Sequence, residues 1–315
     1  MDIAIIGAGL AGLHVANQLS VAHTITVFEK ARGPGGRMST RRATPYAFDH
    51  GAQYFTATSN EFRTFLTPFL AHQTVAPWPE AITLRDGANV SDKDKYCASP
   101  GMNAICKLLA AELDLRTGHQ VERLERKSDG WYLHIKDLAP VGPFDWVISS
   151  APAPQTTVLF PETFSSYERL TQVEMLGCFS LMLGFDAPLS IPWSALKSEA
   201  DPVGWIAVNS AKPGRDQSTS ILVQSRNTWA EAHLESDPAE IKSHLLHAAS
   251  ELSGLDLSSA IHQVLHRWRY AATKTPVGRP FLKDDALQLA ACGDWCLGSK
   301  VEAAFLSADA LAKAL

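Results

Sequence analysis

Residues 3–12 read IAIIGAGLAG, a short apolar run that breaks at once into a glycine-rich turn. The run predicts a buried strand, and residues 13–19 continue with apolar side chains at helical spacing. Residues 25–28 predict a second strand, which ends at Glu29. A strand, a glycine turn, a helix, a second strand and a terminal acid together form the βαβ unit that binds dinucleotides. This order distinguishes the stretch from a lone GxGxxG, which would also fit a simple tight turn.

Each residue of this unit has its own predicted task. Gly7 permits the tight turn, Gly9 lets the backbone approach a pyrophosphate, and Gly12 lets the helix pack closely on the strand. Glu29 is positioned to accept hydrogen bonds from a ribose diol. The N-terminus of the helix offers unpaired N–H groups and a partial positive charge to the phosphates. The unit alone leaves open whether the dinucleotide carries nicotinamide or flavin.

Composition limits the classes of protein to which the chain can belong. It has 315 residues, of which 46% are hydrophobic, and a formal net charge of −5. This length predicts about two domains. A mildly acidic chain without long runs of lysine and arginine argues against nucleic acid as the main partner and against an electrostatic membrane patch. No apolar run approaches the roughly 18 residues of a membrane span.

The cysteines indicate a reducing compartment. There are five, an odd number, with no CxxC pair, so we expect free thiols in a cytoplasmic protein. Cys292 and Cys296 are spaced CxxxC, but no histidine cluster accompanies them, and we predict no metal site. The chain opens with Met1-Asp2-Ile3, where we expect no targeting segment.

The middle of the chain predicts two kinds of structure. Residues 100–113 read as an amphipathic helix, residues 121–124 and 131–135 as a hairpin turning through 128–130, and residues 146–148 as a buried strand. From about 156 to 270 the pattern predicts a mostly antiparallel sheet with helical cover. Its predicted elements are strands at 178–185, 205–208, 221–224 and 262–270, and a helix at 239–252.

The end of the chain decides between the two dinucleotides. Residues 287–292 predict a strand ending in Gly293-Asp294, followed by a helix over 303–315. Ser299-x-x-Glu302 fits a capping box, with Ser299 as the N-cap. The Asp294 side chain can bond a ribityl chain, and the helix N-terminus can face the pyrimidine side of an isoalloxazine, where reduction places negative charge. The tail therefore favours a flavin dinucleotide.

Several motifs resemble one known family. Gly35-Gly36-Arg37, the segment DHGAQYF at 49–55 and the terminal Gly-Asp-x6-Val-Glu-Ala-Ala resemble the FAD-dependent amine oxidase superfamily. More closely, GPGGRMSTRR, FDHGAQYFT, HRWRY and CGDWCLGSKVEAAFLSA are similar to the renalases, particularly the bacterial ones. The resemblance covers both ends of the chain and is specific for the cofactor-binding part. In the substrate domain it rests on HRWRY and the general layout.

The resemblance implies an α/β, p-hydroxybenzoate-hydroxylase-like fold, in which an α+β substrate domain is inserted into a Rossmann-like FAD-binding domain. We predict the FAD-binding domain at 1–60, 97–155 and 275–315, and the substrate domain at 61–96 and 156–274. The implied activity is that of an oxidase with non-covalent FAD, which converts 2- or 6-dihydro isomers of NAD(P)H to NAD(P)+. Hydride would pass to flavin N5, and O2 would reoxidise the flavin to give H2O2.

The resemblance also carries residues over by motif. Ala11, Arg37, Gln53 and Tyr54 fall on FAD-contacting positions, and the Arg37 guanidinium suits a pyrophosphate because it is planar and always charged. The full set that we predict to bind FAD is Gly7, Gly9, Ala11, Gly12, Glu29, Lys30, Gly36, Arg37, Met38, Gln53, Tyr54, Val121, Gly293, Asp294, Val301 and Glu302.

Candidates for the substrate side come from the aromatic and basic residues. We take Trp205, Arg269 and Tyr270 as substrate-facing candidates, while Trp268 and Trp295 are further aromatics that could approach the flavin. Arg267 and Arg269 flank Trp268 on a predicted strand and so point the same way, either into the pocket or into solvent. We interpret His50 as a hydrogen-bonded structural histidine rather than a catalytic base.

Other functions stay open at this point. An amine oxidase or desaturase would share the fold, and a non-catalytic flavin-binding or redox-sensing module would share the cofactor site. An NAD-only dehydrogenase would leave Gly293-Asp294 without a task. A covalent thioether from Cys292 or Cys296 to the flavin is conceivable, but a small buried thiol is the more usual state of such a cysteine.

Overall fold

The computed structural model describes residues 1–78, 82–90, 92–215 and 218–315. Its helices are α1 Leu10–Leu19, α2 Asn60–Ala71, α3 Ala104–Leu109, α4 Ala153–Leu159, α5 Tyr167–Thr171, α6 Asn227–Ala232, α7 Pro238–Ser253 and α8 Val301–Ala312. Its strands are β1 Asp2–Ile6, β2 Thr24–Glu29, β3 Thr40–Ala43, β4 Tyr46–Asp49, β5 Phe55–Thr56, β6 Val75–Pro77, β7 Ile82–Leu84, β8 Lys95–Ala98, β9 Asp114–Thr117, β10 Val121–Lys127, β11 Gly130–Ile135, β12 Val141–Phe144, β13 Trp146–Ser149, β14 Glu174–Gly184, β15 Ala195–Lys197, β16 Val203–Val208, β17 Ser220–Ser225, β18 His262–Thr275, β19 Leu282–Asp284 and β20 Leu289–Ala291.

The first sheet is the Rossmann-like part of the fold. Its strand order is β19-β20-β13-β1-β2-β9, and β1 pairs in parallel with β2 on one side and β13 on the other. Both faces of β1 are buried, as its apolar sequence requires in a parallel sheet covered by helices. α1 and α8 share one apolar core beside this sheet, in which Leu13 and Phe305 are buried. The α/β fold predicted from the two ends of the chain is confirmed.

The second sheet has the order β18-β14-β17-β16-β15-β7. Its pairs are antiparallel except β15 with β7, and its strands come from residues 82–84 and 174–275. One face is covered by helix α7, whose Ile241 and Leu245 pack in a core with Leu181 and Val223. The other face contacts residues 49–54, the end of β4 and the segment that leads to β5, through Ser180 and Gln224. The domain boundaries at 60, 97, 155 and 275 stay a prediction.

Three smaller sheets complete the described chain. β10, β11 and β12 form one, β3 and β4 another, and β5, β8 and β6 the third. The predicted hairpin through 128–130 is confirmed, because Lys127 pairs with Gly130 across the turn. Among the described residues, no helix is both long and apolar enough to cross a bilayer.

The helix predicted over 100–113 is wrong in extent, since only α3, at 104–109, forms. The backbone N–H of Met102 donates to the Asp49 side chain, 3.0 Å away, and that of Asn103 to the Thr40 hydroxyl, 3.4 Å away. These contacts fix the chain just before α3, where helix N–H groups have no intrahelical partner. α1, in contrast, begins at Leu10, three residues before the predicted start.

Candidate functional site

The glycine turn after β1 packs tightly and leaves a helix end open. Gly7 has φ of +106° and donates its N–H to the carbonyl of Phe28, 2.8 Å away. A Cβ on Gly12 would lie 2.1 Å from the Gly7 carbonyl oxygen, so helix and turn can approach only with glycine there. The N-cap of α1 is Gly9, and no side chain caps this end. The backbone N–H groups of the first turn therefore remain for a ligand such as a phosphate.

A second glycine segment lies beside this turn. Gly35 donates its N–H to the Ala8 carbonyl at 2.8 Å, and a Cβ on Gly36 would stand 3.2 Å from the Gly9 Cα. The Glu29 carboxylate accepts from the N–H groups of Ala8 and Ala31, both at 2.8 Å. Each carboxylate oxygen keeps a lone pair for a ribose hydroxyl. A backbone cradle and an acid at its rim fit the ADP half of a dinucleotide.

Arg37 and Asp294 come together from opposite ends of the chain. Two guanidinium nitrogens donate to the two carboxylate oxygens, Nη1 to Oδ2 at 2.8 Å and Nη2 to Oδ1. Asp294 is buried, whereas the Arg37 side chain is 27% exposed. A bidentate pair of this kind fixes both planes, and it leaves further guanidinium N–H groups for a ligand oxygen. The two predicted cofactor ligands thus form one unit.

The predicted capping box at the start of α8 is wrong. The N-cap is Lys300 rather than Ser299, and no side chain caps the helix. The Glu302 carboxylate instead accepts from the N–H groups of Thr58 and Ser59, at 2.9 and 2.6 Å, and from the Ser59 hydroxyl at 2.8 Å. Burial raises the pKa of Glu302, but these donors outweigh it and hold the pKa below its usual value.

This correction changes the task of Glu302. Its side chain ties α8 to the start of α2, so it is already engaged by protein donors at a predicted cofactor position. The uncapped N-terminus of α8 offers its own N–H groups and partial positive charge, which suits negative charge on a reduced flavin. The uncapped N-termini of α1 and α8 both offer N–H donors, and these donors fit the phosphates and the flavin of FAD.

Residues 49–54, which we name the DHGAQY segment, press against Arg37. The Ala52 N–H donates to the Arg37 carbonyl at 2.8 Å, and a Cβ on Gly51 would lie 2.0 Å from that oxygen. The Gln53 amide folds back and donates to the carbonyls of Asp49 and Gly51, at 2.6 and 2.9 Å. Gln53 therefore shapes the segment with its side chain, and a contact with the cofactor stays a prediction.

A buried charge cluster behind this segment was not predicted. The Asp49 carboxylate lies 2.6 Å from Arg215 Nη2 and 3.4 Å from Lys212 Nζ, and all three side chains are buried. Lys212 Nζ also donates to Gln53 Oε1 at 3.1 Å. Burial raises the pKa of Asp49, but Lys212 and Arg215 outweigh it and hold that pKa below its usual value. Burial lowers the pKa of Lys212. Two cations thus share one carboxylate.

His50 joins the DHGAQY segment to the second sheet. Its carbonyl accepts from the Ser180 hydroxyl and the Trp268 indole N–H, both at 2.8 Å. Its ring stacks on Trp268, with centroids 5.1 Å apart, and meets His266 edge-on at 4.9 Å. Burial, with His266 adding to it, lowers the pKa of His50 to about 4. The ring is neutral at physiological pH, and its Nδ1 has no partner within the described ranges, unlike the fully bonded histidine we expected.

The substrate-facing candidates separate into two groups. Trp205 is buried with its ring 5.7 Å from that of Tyr54. Trp268 turns to the DHGAQY segment, whereas Tyr270 lies two residues later, where the register of β18 against β14 shifts, and its contact with the substrate stays a prediction. Arg269 lies on the opposite face, exposed and paired with Glu235 at 3.1 Å from Nη2. Arg269 is therefore corrected to a solvent-side residue, because strand alternation turns it away from Trp268.

The structure also shows where the other aromatic and basic candidates and the remaining predicted FAD ligands lie. Arg267 shares the outer face and also pairs with Glu235. Trp295 is completely buried and donates its indole N–H to the Ala151 carbonyl at 3.0 Å, so it belongs to the core beneath the sheet. Six predicted FAD ligands remain, and their contacts with the cofactor stay a prediction. Gly293 donates its N–H to the Ser307 hydroxyl at 2.9 Å. Ala11 and Met38 are buried, Lys30 is exposed, Val121 begins β10 and Val301 begins α8.

The cysteines are buried thiols. All five are buried and outside any disulfide, and burial raises the pKa of Cys296 to about 12. Burial also raises the pKa of Cys292. A thiol that stays protonated is a poor nucleophile, which supports a non-covalent cofactor. Within the ranges that the structure describes, no group of three or more histidine, cysteine and acidic side chains is arranged to hold a metal ion.

Comparisons with known proteins agree with this geometry. Residues 5–69 match the model of an NAD(P)-binding Rossmann-like domain, and residues 80–315 match that of flavin containing amine oxidoreductases. A stretch of 52 residues is 44% identical to 4,4'-diapophytoene desaturases of Staphylococcus haemolyticus and Staphylococcus aureus strain Newman. That stretch covers 16% of this chain and 10% of either desaturase, so the chain spans about a tenth of these relatives.

Solved structures with the same fold cover nearly the whole chain. A putative protoporphyrinogen oxidase from Exiguobacterium sp. 255-15 aligns with a TM-score of 0.79 and 12% identity. Cyclohexylamine oxidase from Brevibacterium oxydans IH-35A aligns with a TM-score of 0.75 and 13% identity. Each alignment covers 99% of this chain and 98% of the other. The second family model spans most of the chain, and the protein therefore belongs to the flavin containing amine oxidoreductases, as an FAD-dependent oxidoreductase.

Proposed function

We propose that this protein is a renalase-type oxidase with non-covalent FAD. Its substrates are the 2- or 6-dihydro isomers of NAD(P)H, which it returns to NAD(P)+, and O2 takes up the electrons as H2O2. We also place it in the cytoplasm, a proposal that the five buried free thiols support.

The observation that carries the proposal is the charge around the DHGAQY segment. Lys212 and Arg215 are buried there, and Asp49 is the carboxylate that they share. The Asp49 oxygens are occupied by these cations and by Thr40 and Met102. A protonated amine would meet the net positive charge of the group formed by Asp49, Lys212 and Arg215, whereas a neutral dihydropyridine carrying a pyrophosphate would not be repelled by it.

The chemistry requires little from the protein side chains. Bound FAD supplies the hydride acceptor at N5 and, after reduction, the electrons for O2. A dihydropyridine gains aromaticity on losing hydride, so no base has to remove a proton from it. A neutral His50 is consistent with a reaction that needs no side chain to exchange a proton with the substrate. Arg37 and Asp294 would hold the phosphate and ribityl region of the cofactor, and Trp205 and Tyr270 would position the substrate ring.

An amine oxidase acting on a small amine is the alternative. The rings of Tyr54, Trp78 and Trp205 lie within 6.4 Å of one another, and such a group of aromatics could also hold a neutral amine. A non-catalytic flavin-binding module would use the same cofactor groove. These alternatives differ in which compound reduces the flavin.

Anaerobic mixing distinguishes them. Purified holoenzyme is mixed with 2- or 6-dihydro-NAD(P), with the ordinary 4-dihydro forms, or with small amines, and the flavin absorbance is followed. We expect bleaching within seconds by the 2- or 6-dihydro isomers and slow or no bleaching by the others. Bleaching by amines alone would replace the proposal with the amine oxidase. If no compound bleaches the flavin, the result would favour the non-catalytic flavin-binding module.

A further inference from the structure

The connection between β16 and β17 reaches from the second sheet to the DHGAQY segment. Its first part is residues 209–215, which we name the inserted loop. Asn209, at the start of this loop, is completely buried. Its amide donates to the Ala47 carbonyl at 2.6 Å, and its side-chain oxygen accepts from the Asp49 N–H at 3.1 Å. The inserted loop is thus bonded to the end of β4, where the DHGAQY segment starts.

The Asp49 carboxylate is held on both of its oxygens. Arg215 of the inserted loop donates to Oδ2 from Nη2 at 2.6 Å and from Nε at 3.2 Å, and its Nη1 donates to the Ala98 carbonyl at 2.7 Å. The Thr40 hydroxyl and the Met102 N–H donate to Oδ1, at 2.7 and 3.0 Å. A carboxylate with donors on both oxygens cannot rotate without losing some of these bonds. The first residue of the DHGAQY segment is therefore anchored by Arg215.

Lys212 has a different partner in the segment. Its Nζ lies 3.1 Å from Gln53 Oε1, closer than the 3.4 Å to the Asp49 carboxylate. The Gln53 Nε2 donates to the carbonyls of Asp49 and Gly51, at 2.6 and 2.9 Å. Because lysine presents only N–H donors, it binds the oxygen of the amide and leaves the NH2 end for the two carbonyls. If the amide were turned over, its oxygen would face those carbonyls and its NH2 group would face Lys212.

The Gln53 amide acts on the part of the segment that touches Arg37. The Gly51 carbonyl accepts from this amide, while a Cβ on Gly51 would lie 2.0 Å from the Arg37 carbonyl oxygen. The Ala52 N–H donates to the same oxygen at 2.8 Å. The Arg37 guanidinium in turn forms the bidentate pair with Asp294. A change in the amide orientation therefore reaches the backbone of the arginine that we predict to hold FAD.

We propose that Lys212 is a positioning residue for the FAD site, because it holds the Gln53 amide in the orientation that keeps the DHGAQY segment against Arg37. This role requires an N–H donor at residue 212 and does not require a positive charge. Lys212 acts through the amide and the backbone rather than through a contact with FAD. The role does not depend on which compound reduces the flavin, so its failure would leave the proposed renalase-type activity standing.

The test measures FAD binding to the apoprotein by the quenching of flavin fluorescence. Lys212→Met removes the N–H donor at a similar side-chain length, and Lys212→Gln removes the charge but keeps an N–H donor. Ser225→Ala is the matched control, because it removes a buried acceptor that binds the N–H of Phe179, at 2.9 Å, in the core covered by α7. Urea unfolding of each apoprotein shows how much stability each variant loses, so that FAD affinities are compared at known stability.

We expect Lys212→Met to weaken FAD binding about three- to tenfold, the range for the loss of one hydrogen bond. Lys212→Gln and Ser225→Ala should bind FAD within about twofold of the wild type, even where the apoprotein is less stable. Equal weakening in Lys212→Met and Lys212→Gln would show that the charge matters rather than the donor, and would overturn the proposal. Wild-type affinity in Lys212→Met would overturn it as well.

A second variant changes the other partner of the same hydrogen bond. Gln53→Glu keeps an acceptor for Lys212 but offers no amide N–H to the carbonyls of Asp49 and Gly51. It should therefore bind FAD at least as weakly as Lys212→Met does. Wild-type FAD affinity in Gln53→Glu contradicts the role of the amide, and this variant supplies the test if Lys212→Met does not fold.

The route through Arg37 is tested by combining two substitutions. When Arg37→Ala is already present, there is no guanidinium to misplace, and adding Lys212→Met should weaken FAD binding by less than about twofold. An undiminished effect of Lys212→Met in that background would show that Lys212 acts on FAD by another route. That result would overturn the positioning role even if Lys212→Met alone binds FAD weakly.

Discussion

The pair of Arg37 and Asp294 offers the sharpest test of the cofactor site. Arg37→Ala removes two hydrogen bonds to Asp294 and the positive charge that we predict to meet the FAD pyrophosphate. Asp294, which is 5% exposed, would be left without this ion-pair partner. The substitution therefore acts on the phosphate contact and on the orientation of the carboxylate, and both effects should weaken FAD binding.

The size of the effect follows from the number of charged contacts. A hydrogen bond to a charged group contributes about 1.5–3 kcal/mol. Loss of one such contact to FAD weakens binding about 10- to 150-fold, because each 1.4 kcal/mol is a factor of ten. Arg37→Lys keeps the charge but loses the bidentate geometry, and we expect it to fall between the wild type and Arg37→Ala.

The measurement is the dissociation constant of FAD, obtained by titrating apoprotein and following the quenching of flavin fluorescence. Arg42→Ala, which removes an exposed arginine of β3, is the matched control and should bind FAD as the wild type does. Wild-type affinity in Arg37→Ala would refute the assigned role. If Arg37→Ala binds weakly but regains wild-type affinity when Asp294→Asn is added, the arginine acts only by neutralising Asp294, and a direct phosphate contact is excluded.

Three further predictions concern stability and packing. Gly51→Ala places a Cβ 2.0 Å from the Arg37 carbonyl oxygen, and we expect about 1–3 kcal/mol of destabilisation in urea together with weaker FAD binding; an unperturbed variant would contradict the close packing. Glu302→Gln should be less stable than the wild type above pH 4.5, the unfolded pKa, and the gap should close as pH falls through the lowered folded pKa. Stability of the wild type should fall between pH 6.5 and 4, where unfolding allows His50 to take up a proton, and His50→Phe should reduce that fall; an identical pH profile would show that another group causes it.

Sequence reasoning was strongest where the signal is local. The βαβ unit, the hairpin through 128–130 and the strand before Gly293 follow from apolar period and glycine position, and the structure contains them. The helix predicted over 100–113 forms only at 104–109, and the residues just before it are held by N–H contacts with Asp49 and Thr40, which lie more than fifty positions away. An amphipathic pattern carries no information about such distant acceptors.

The same distinction applies to the site. Strand alternation correctly placed Arg267 and Arg269 on one face. Whether that face is turned to the pocket or to solvent depends on the register of β18 against β14 and on the contact of Trp268 with the His50 carbonyl. The contacts of Asp49 with Lys212 and Arg215 span more than 160 positions, and no spacing rule connects them. The nearest signal was compositional: Lys212 and Arg215 flank Pro213-Gly214 between the apolar strands β16 and β17.

The DHGAQY segment explains how one fold can keep its cofactor and change its substrate. On one side Gly51 presses its backbone against Arg37, and on the other the His50 carbonyl accepts from Ser180 and Trp268 of the second sheet. The segment makes these contacts with backbone atoms, whereas the sheet contributes the side chains of Ser180 and Trp268. Under the proposed function, the charge of Lys212, which is buried behind the segment, would disfavour an ammonium ion and tolerate a neutral ring.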